Sequence, residues 1–252
     1  MTDAELLQWA RDQRWFYRFP LPGGAWTAAP DDVPSALHEA RRTMLMQVLE
    51  TRFPEALSDV SALDIACHQG FFSIALAEKL GEVTGLDVNA ASLDQASRIT
   101  AYLGRSNVRY VQADIQECDL NTIPPADVVV MYGLLYHMED PIRLLRRAAS
   151  LCRDTLVIET QLTAFDMVTD IEWGDYRQMR SVRGLFALVD DQDNPEGGVT
   201  TLATVPSYGA LTYLLGQLGF DDIRRVPPPD AQAEQLHRGR RAVIAAHRTR
   251  AA

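Results

Sequence analysis

Five titratable side chains stand at corresponding places along the chain. Asp87, Asp114, His137 and Glu159 each close, or closely follow, a short apolar run, and Asp64 stands near the end of one. A carboxylate in such a place accepts hydrogen bonds from the hydroxyl and amino groups of a ligand. Asp87 is placed to take both hydroxyls of a ribose; as a bland alternative it would cap the helix that follows, a task Asn89 can also do. An imidazole has an unperturbed pKa of ~6.5 and takes up a proton near neutral pH. His137 is therefore the first candidate for a general base and Glu159 the second, although His137 could equally be a packing residue that orients its loop.

These residues need a scaffold of alternating strands and helices. The stretch from Ala62 to Ser73 reads A-L-D-I-A-C-H-Q-G-F-F-S. Its apolar run ends in a turn at His68-Gln69-Gly70, and a helical pattern follows through Phe71, Ile74, Leu76 and Leu80. Strand, tight turn and helix open a nucleotide-binding α/β unit. Gly70 is expected where the backbone approaches a ligand closely. The pattern predicts further strands at 82–88, 107–114, 126–131, 155–160, 220–226 and 241–247. Helices are predicted at 3–14, at Pro34 to Phe53, at 90–104, from Pro141 onward and at Pro206 to Gly219. The run 126–131 is the most apolar, as a strand buried on both faces requires.

Two segments fall outside this alternation. Residues 15–27, W-F-Y-R-F-P-L-P-G-G-A-W-T, read as an aromatic hairpin around Pro22-Gly23-Gly24. Residues 161–205 carry Trp173, Tyr176, Phe186, the acids Asp166, Asp170, Glu172 and Asp175, and the turn Asn194-Pro195-Glu196-Gly197-Gly198. Ligands of doubly wound sheets bind beyond the carboxyl ends of the strands. The 161–205 insertion is thus expected to recognise substrate, and residues 1–56 to form a helix-hairpin-helix lid before a main domain over 57–252. Trp15, Tyr17, Trp26 and Trp173 would wall the pocket, with Tyr136, His137 and Glu159 as its floor.

Composition narrows the partners. The chain has 252 residues, 47% of them hydrophobic, enough for one globular domain with a large core. The net charge is −10, and Lys79 is the only lysine. Such a chain repels phosphate backbones at long range, which argues against a nucleic-acid substrate. Cys67, Cys118 and Cys152 show no paired spacing, so neither a metal site nor a disulfide framework is expected. No apolar run approaches a membrane span, and the acidic start lacks a signal-peptide core. A cytoplasmic location is expected, with a homodimer left open.

The Ala62–Ser73 stretch resembles motif I of the class I S-adenosylmethionine-dependent methyltransferases, D-x-G-x-G-x-G, here as Asp64, Ala66, His68 and Gly70. Ala66 and His68 replace two of its glycines. The segment G-L-L-Y-H-x-x-D-P, Gly133 to Pro141, resembles the motif after strand 4 in small-molecule members. The resemblance covers about residues 60–248. It implies a doubly wound, seven-stranded, mostly parallel α/β sheet closed by an antiparallel strand pair. It also implies S-adenosylmethionine as cofactor, held by Asp64, Ala66, Cys67, His68, Gly70, Asp87, Val88, Asp114, Ile115 and Tyr132. Asp114 matches the position that bonds the adenine amino group, and His68 either touches the methionine end or merely shapes the turn.

The implied activity is methylation of a small molecule at O, N or S, such as a natural product. W-F-Y-R-F-P-L-P-G-G and A-C-H-Q-G-F-F-S are also similar to the tRNA wobble-uridine carboxymethyltransferase group. A tRNA-modifying enzyme using a carboxylated donor is therefore an alternative, as is a cofactor-binding protein without catalysis. In the ribose role, Asp87 makes two charge-assisted hydrogen bonds. Asp87→Ala is then expected to weaken S-adenosylmethionine binding by about tenfold or more, measured by calorimetry.

Overall fold

The computed structural model describes residues 1–29, 35–173, 178–194, 201–229 and 234–249. The chain divides into two compact units. One comprises Met1–Asp114 with Pro228–Ala233, and the other Ile115–Pro227 with Glu234–Ala252.

The first unit begins with helix α1, Asp3–Arg11. Thr2 caps it: its hydroxyl accepts from the Glu5 amide, while the Glu5 carboxylate takes the Thr2 amide. This reciprocal box satisfies two of the donors that a helix start leaves open. Leu6 and Ala10 form its buried face. Residues 15–27 then make less of a hairpin than their alternation predicts. A single bridge joins Pro20 to Trp26 around a 3-10 turn at Pro22–Gly24. Pro20 and Pro22 have no amide to give to a ladder. Thr27 closes the loop instead, its hydroxyl donating to the Tyr17 carbonyl and accepting from the Phe19 amide. Helix α2, Ser35–Arg52, follows; Pro34, the expected first residue, lies outside the described residues.

Strands β1 (Ser61–Ile65), β2 (Glu82–Asp87) and β3 (Val108–Gln112) run parallel, β2 in the middle. Helices α3 (Phe71–Ala77) and α4 (Ala90–Tyr102) connect them. Asn89 caps α4, its side-chain oxygen accepting from the Ala91 and Ser92 amides.

The second unit holds β4 (Ala126–Tyr132), α5 (Pro141–Ser150) and β5 (Cys152–Gln161). Strands β4 and β5 are parallel, and their apolar residues are buried almost throughout. The insertion folds into two antiparallel hairpins: β6 (Val168–Trp173) with β7 (Gln178–Arg183), and β8 (Phe186–Asp190) with β9 (Leu202–Pro206). Asp175, Tyr176 and the turn residues 195–198 lie outside the described residues. Helix α6 (Tyr208–Gln217), β10 (Asp222–Val226), the single-turn α7 (Glu234–His237) and β11 (Arg241–His247) complete the chain. Strand β11 is antiparallel to both β5 and β10. The sheet has seven strands in the order β10-β11-β5-β4-β1-β2-β3, the mostly parallel α/β architecture expected. Among the described residues no helix is long and apolar enough to cross a membrane.

Packing within the fold also demands a glycine at position 70. It sits at φ +80°, and a Cβ there would lie 2.4 Å from the Tyr110 hydroxyl and 2.9 Å from the Ala96 Cβ. Both are neighbours within the fold. Gly70→Ala combines left-handed strain with overpacking and is expected to cost about 2–4 kcal/mol in urea unfolding.

Candidate active site

In the first unit the site grows from the loop after β1. Asp64 is 1% exposed, and the Ser73 hydroxyl on α3 donates to it at 2.6 Å. The loop then places Ala66, His68 and Gly70 at φ +60°, +50° and +80°. A left-handed alanine or histidine costs roughly 1–2 kcal/mol, so the loop must be held from outside. The Cys67 amide donates to the Leu86 carbonyl, and the Gly70 amide to the Cys67 carbonyl. The His68 amide donates to one oxygen of Asp87 at 2.8 Å, and the Asn89 amide to the other at 2.9 Å.

Asp87 thus braces the loops after β1 and β2 at once. An ionised carboxylate has about four acceptor positions, and these two bonds use one on each oxygen. Asp87→Ala would also release the two loop amides, so part of its effect on binding comes from the loop.

The other residues implied for the cofactor are placed as follows. Cys67 is buried, and burial pushes its thiol well above the usual range, with the charges of Asp64 and Asp87 adding to the shift. Val88 is exposed. Asp114 is half-buried just beyond β3. Ile115 and Tyr132, in the second unit, are buried.

The aromatic segment is anchored to this loop by a residue that sequence reasoning missed. Gln69 is 3% exposed. Its side-chain oxygen accepts from the Phe16 and Tyr17 amides at 3.0 and 3.3 Å. Its amide nitrogen donates to the Arg14 carbonyl and to the Gln95 side chain. A buried glutamine this fully bonded is a latch. Its partners at Phe16 and Tyr17 lie more than fifty positions away, beyond any local pattern; a lone Gln inside an apolar turn was the one available signal.

This latch corrects two expected pocket walls. Trp15, with its indole N–H donating to the Ala10 carbonyl, and Tyr17, stacked on Phe71 at 4.8 Å, belong to the core. The His68 ring packs edgewise on Phe16 and Tyr17. Trp26 does remain exposed. It lines a cavity of about 380 Å³ with Arg18, Ser35, His38, Glu39 and Phe71. The Trp173 side chain lies outside the described residues.

In the second unit β4 leads into a 3-10 turn, Leu135–His137. His137 is buried, and its Nδ1 meets an Asp191 carboxylate oxygen at 2.8 Å. The other Asp191 oxygen accepts from the Asn194 side chain at 2.9 Å. The Tyr136 ring lies against His137, centroids 4.2 Å apart.

Glu159 is corrected as a base. It is fully buried and paired at 2.6 Å with Arg241, whose guanidinium also donates to the Tyr136 hydroxyl. Burial works against the Arg241 charge, but Glu159 and Tyr136 outweigh it and hold the pKa above the usual range. A carboxylate locked to a guanidinium is a poor proton acceptor. Asp191 and Arg241 were both missed, being tied to the site only through tertiary contacts.

Electrostatics distinguish Asp64. Burial raises its pKa to about 7; the Ser73 hydrogen bond lowers it, and the Asp87 charge raises it further. Between about pH 4 and pH 7 the folded chain keeps a proton that the unfolded chain has released. Wild-type stability therefore falls as pH rises through that window. Asp64→Asn carries no charge and still accepts from Ser73. Its stability relative to wild type is expected to grow from pH 4 to pH 7 and then level off, at no more than about 4 kcal/mol. Urea unfolding of both proteins across that range measures it.

Residues 63–155 match the family model described as methyltransferase domain. A tRNA U34 carboxymethyltransferase of Alteromonas mediterranea is 28% identical over 66% of this chain and 46% of its own length. A ubiquinone biosynthesis O-methyltransferase of Vibrio vulnificus is 28% identical over 72% of this chain and 81% of its own. The chain spans about half the length of the first curated relatives it matches. Among solved structures, the N-terminal domain of EvdMO1, crystallised in the presence of SAH and D-fucose, superposes with a TM-score of 0.72 at 23% identity. That match covers 99% of this chain and 98% of the other. The glycopeptide N-methyltransferase MtfA, complexed with S-adenosylmethionine, gives 0.55 at 17% identity, covering 85% and 94%. With the seven-strand order and the loop after β1, these likenesses agree: residues 63–155 match a methyltransferase domain, and the chain has the fold of S-adenosylmethionine-dependent methyltransferases.

Proposed function

We propose that this chain transfers a methyl group from S-adenosylmethionine to a small-molecule acceptor. The observation that carries the reading is the pair of buried carboxylates, Asp64 and Asp87, behind the loop after β1. Two acids there disfavour a phosphate-bearing ligand and favour one with hydroxyls and positive charge. S-adenosylmethionine fits: it has a ribose diol, an ammonium and a sulfonium, and no phosphate. When bound, it supplies a methyl group already activated for displacement.

The chain's own residues then bind, orient and exclude water. Asp87 would hold the ribose, with Asp114 toward the adenine. Trp26 and the cavity it lines would receive a flat or cationic acceptor through the π-face of the indole. A cytoplasmic location agrees with this donor.

The likeness to a tRNA U34 carboxymethyltransferase supports a second reading, a tRNA acceptor. The net charge of −10 weighs against it.

Calorimetry with S-adenosylhomocysteine and turnover against a panel of small acceptors test the first reading. Binding with turnover of a small acceptor is expected. Trp26→Ala is expected to raise the acceptor KM by about tenfold, the value of a lost aromatic wall, with cofactor affinity unchanged. Salt-dependent tRNA binding with no small acceptor turned over would establish the second reading. Cofactor binding without any turnover would leave a binding protein.

A further inference from the structure

The contact between His137 and Asp191 has a feature that the methyltransferase reading leaves unused. Asp191 stands just past β8, at the start of the loop to β9, and belongs to the insertion rather than to the sheet. It is held there from several sides. Its amide donates to the Thr201 carbonyl, and its carboxylate accepts from the Asn194 side chain. The hairpin is tied to the His137 turn as well, because the Thr204 amide and hydroxyl both donate to the Met138 carbonyl at 3.0 Å. The His137 and Asp191 side chains are 9% and 11% exposed.

An ionised carboxylate only accepts. The Asn194 amide nitrogen lies 3.4 Å from Nδ1 but donates at 2.9 Å to Asp191, so the carboxylate at 2.8 Å is the nearer partner of Nδ1 and assigns it the imidazole proton. That leaves Nε2 as the acceptor of the ring. A carboxylate that fixes the tautomer and orientation of a histidine prepares it to receive a proton.

We propose that Asp191 is a positioning residue that sets His137 as a general base through Nε2, and that the acceptor is accordingly a hydroxyl compound. This rests on the methyltransferase reading and narrows it to O-methylation. A thiol ionises unaided near pH 8.5. An amine attacks through a lone pair that loss of a proton to solvent exposes beforehand. A hydroxyl gives up its proton only as the new bond forms, and so requires a base at the site. The acceptor proton passes to Nε2 while an oxygen lone pair forms the O–CH3 bond. The C–S bond breaks with its electron pair left on sulfur, which becomes a neutral thioether. Asp191 stays ionised and steadies the imidazolium until it returns the proton to solvent.

The test needs two substitutions and two readouts in the full chain. In Asp191→Asn the shape is kept, but the amide can donate to Nδ1 and force the proton onto Nε2. Asp191→Ala removes the partner altogether. Nitrogen-15 NMR of His137 in the neutral protein, with no cofactor added, is expected to show the Nδ1–H form in wild type and a shift toward Nε2–H in both variants.

With S-adenosylmethionine as donor, catechol and D-fucose are compared with 1,2-diaminobenzene and benzene-1,2-dithiol. Methylation of a hydroxyl acceptor is expected. Its kcat should fall by about 10–100-fold in the Asp191 variants and by about 100-fold or more in His137→Ala, with S-adenosylhomocysteine affinity retained. A variant that keeps the Nδ1–H form, or that loses stability while keeping kcat, makes Asp191 a structural staple and overturns the proposal. Turnover of the diamine or dithiol with no hydroxyl compound methylated overturns the O-methylation assignment. Failure of the wild-type chain to bind S-adenosylhomocysteine would instead remove the parent reading, whatever the NMR shows.

Discussion

Between β1 and α3 the backbone takes up a shape that its residues do not favour. Ala66 and His68 stand in left-handed conformations that glycine would occupy without strain. The Asp87 carboxylate holds the His68 amide from one side and the Asn89 amide from the other. The loops at the ends of β1 and β2 therefore have one common fastening. The surroundings of Gly70, the packing of α3 and the position of Gln69 all depend on that loop keeping its course. This explains how a chain lacking two of the usual glycines retains the loop.

Much of the fold was legible because its signals are local. Apolar runs marked the seven strands of the main sheet, and Pro141 and Asn89 marked helix starts. Asp64 and Asp87 were legible because an acid at a strand end is a position as well as a residue type. The misreadings share one cause. Trp15 and Tyr17 look the same in sequence whether they line a pocket or fill a core; only the Gln69 latch decides, and it reaches across more than fifty residues. Glu159 looks like an open acid until Arg241, 82 residues later, is brought against it by the β5–β11 register. The hairpins of the insertion lacked the tight Asn-Gly turns that announce such elements.

The buried charges differ in how they are stabilised. Glu159 has a full counter-charge in Arg241. Asp191 has an imidazole and a carboxamide. Asp64 has the hydroxyl and amide of Ser73 and, more weakly, the charge of Arg41, and burial outweighs them. An ion pair offsets more of the desolvation of a buried carboxylate than a neutral donor does. Asp64 is accordingly the acid whose protonation is set to respond to a cation arriving nearby, whereas Glu159 is committed to its partner.

The Gln69 latch also bears on the order in which the chain can fold. Residues 14–19 leave the ribosome long before Gln69 and Gln95, their hydrogen-bonding partners. Until both have emerged, Trp15, Phe16, Tyr17 and Phe19 form an aromatic stretch covered only in part, by Trp9 and His38. Contacts of large sequence separation form late, and exposed apolar segments invite association in the interval. In the nascent chain this aromatic segment is thus an adhesive stretch, and its fastening is complete only when α4 has formed.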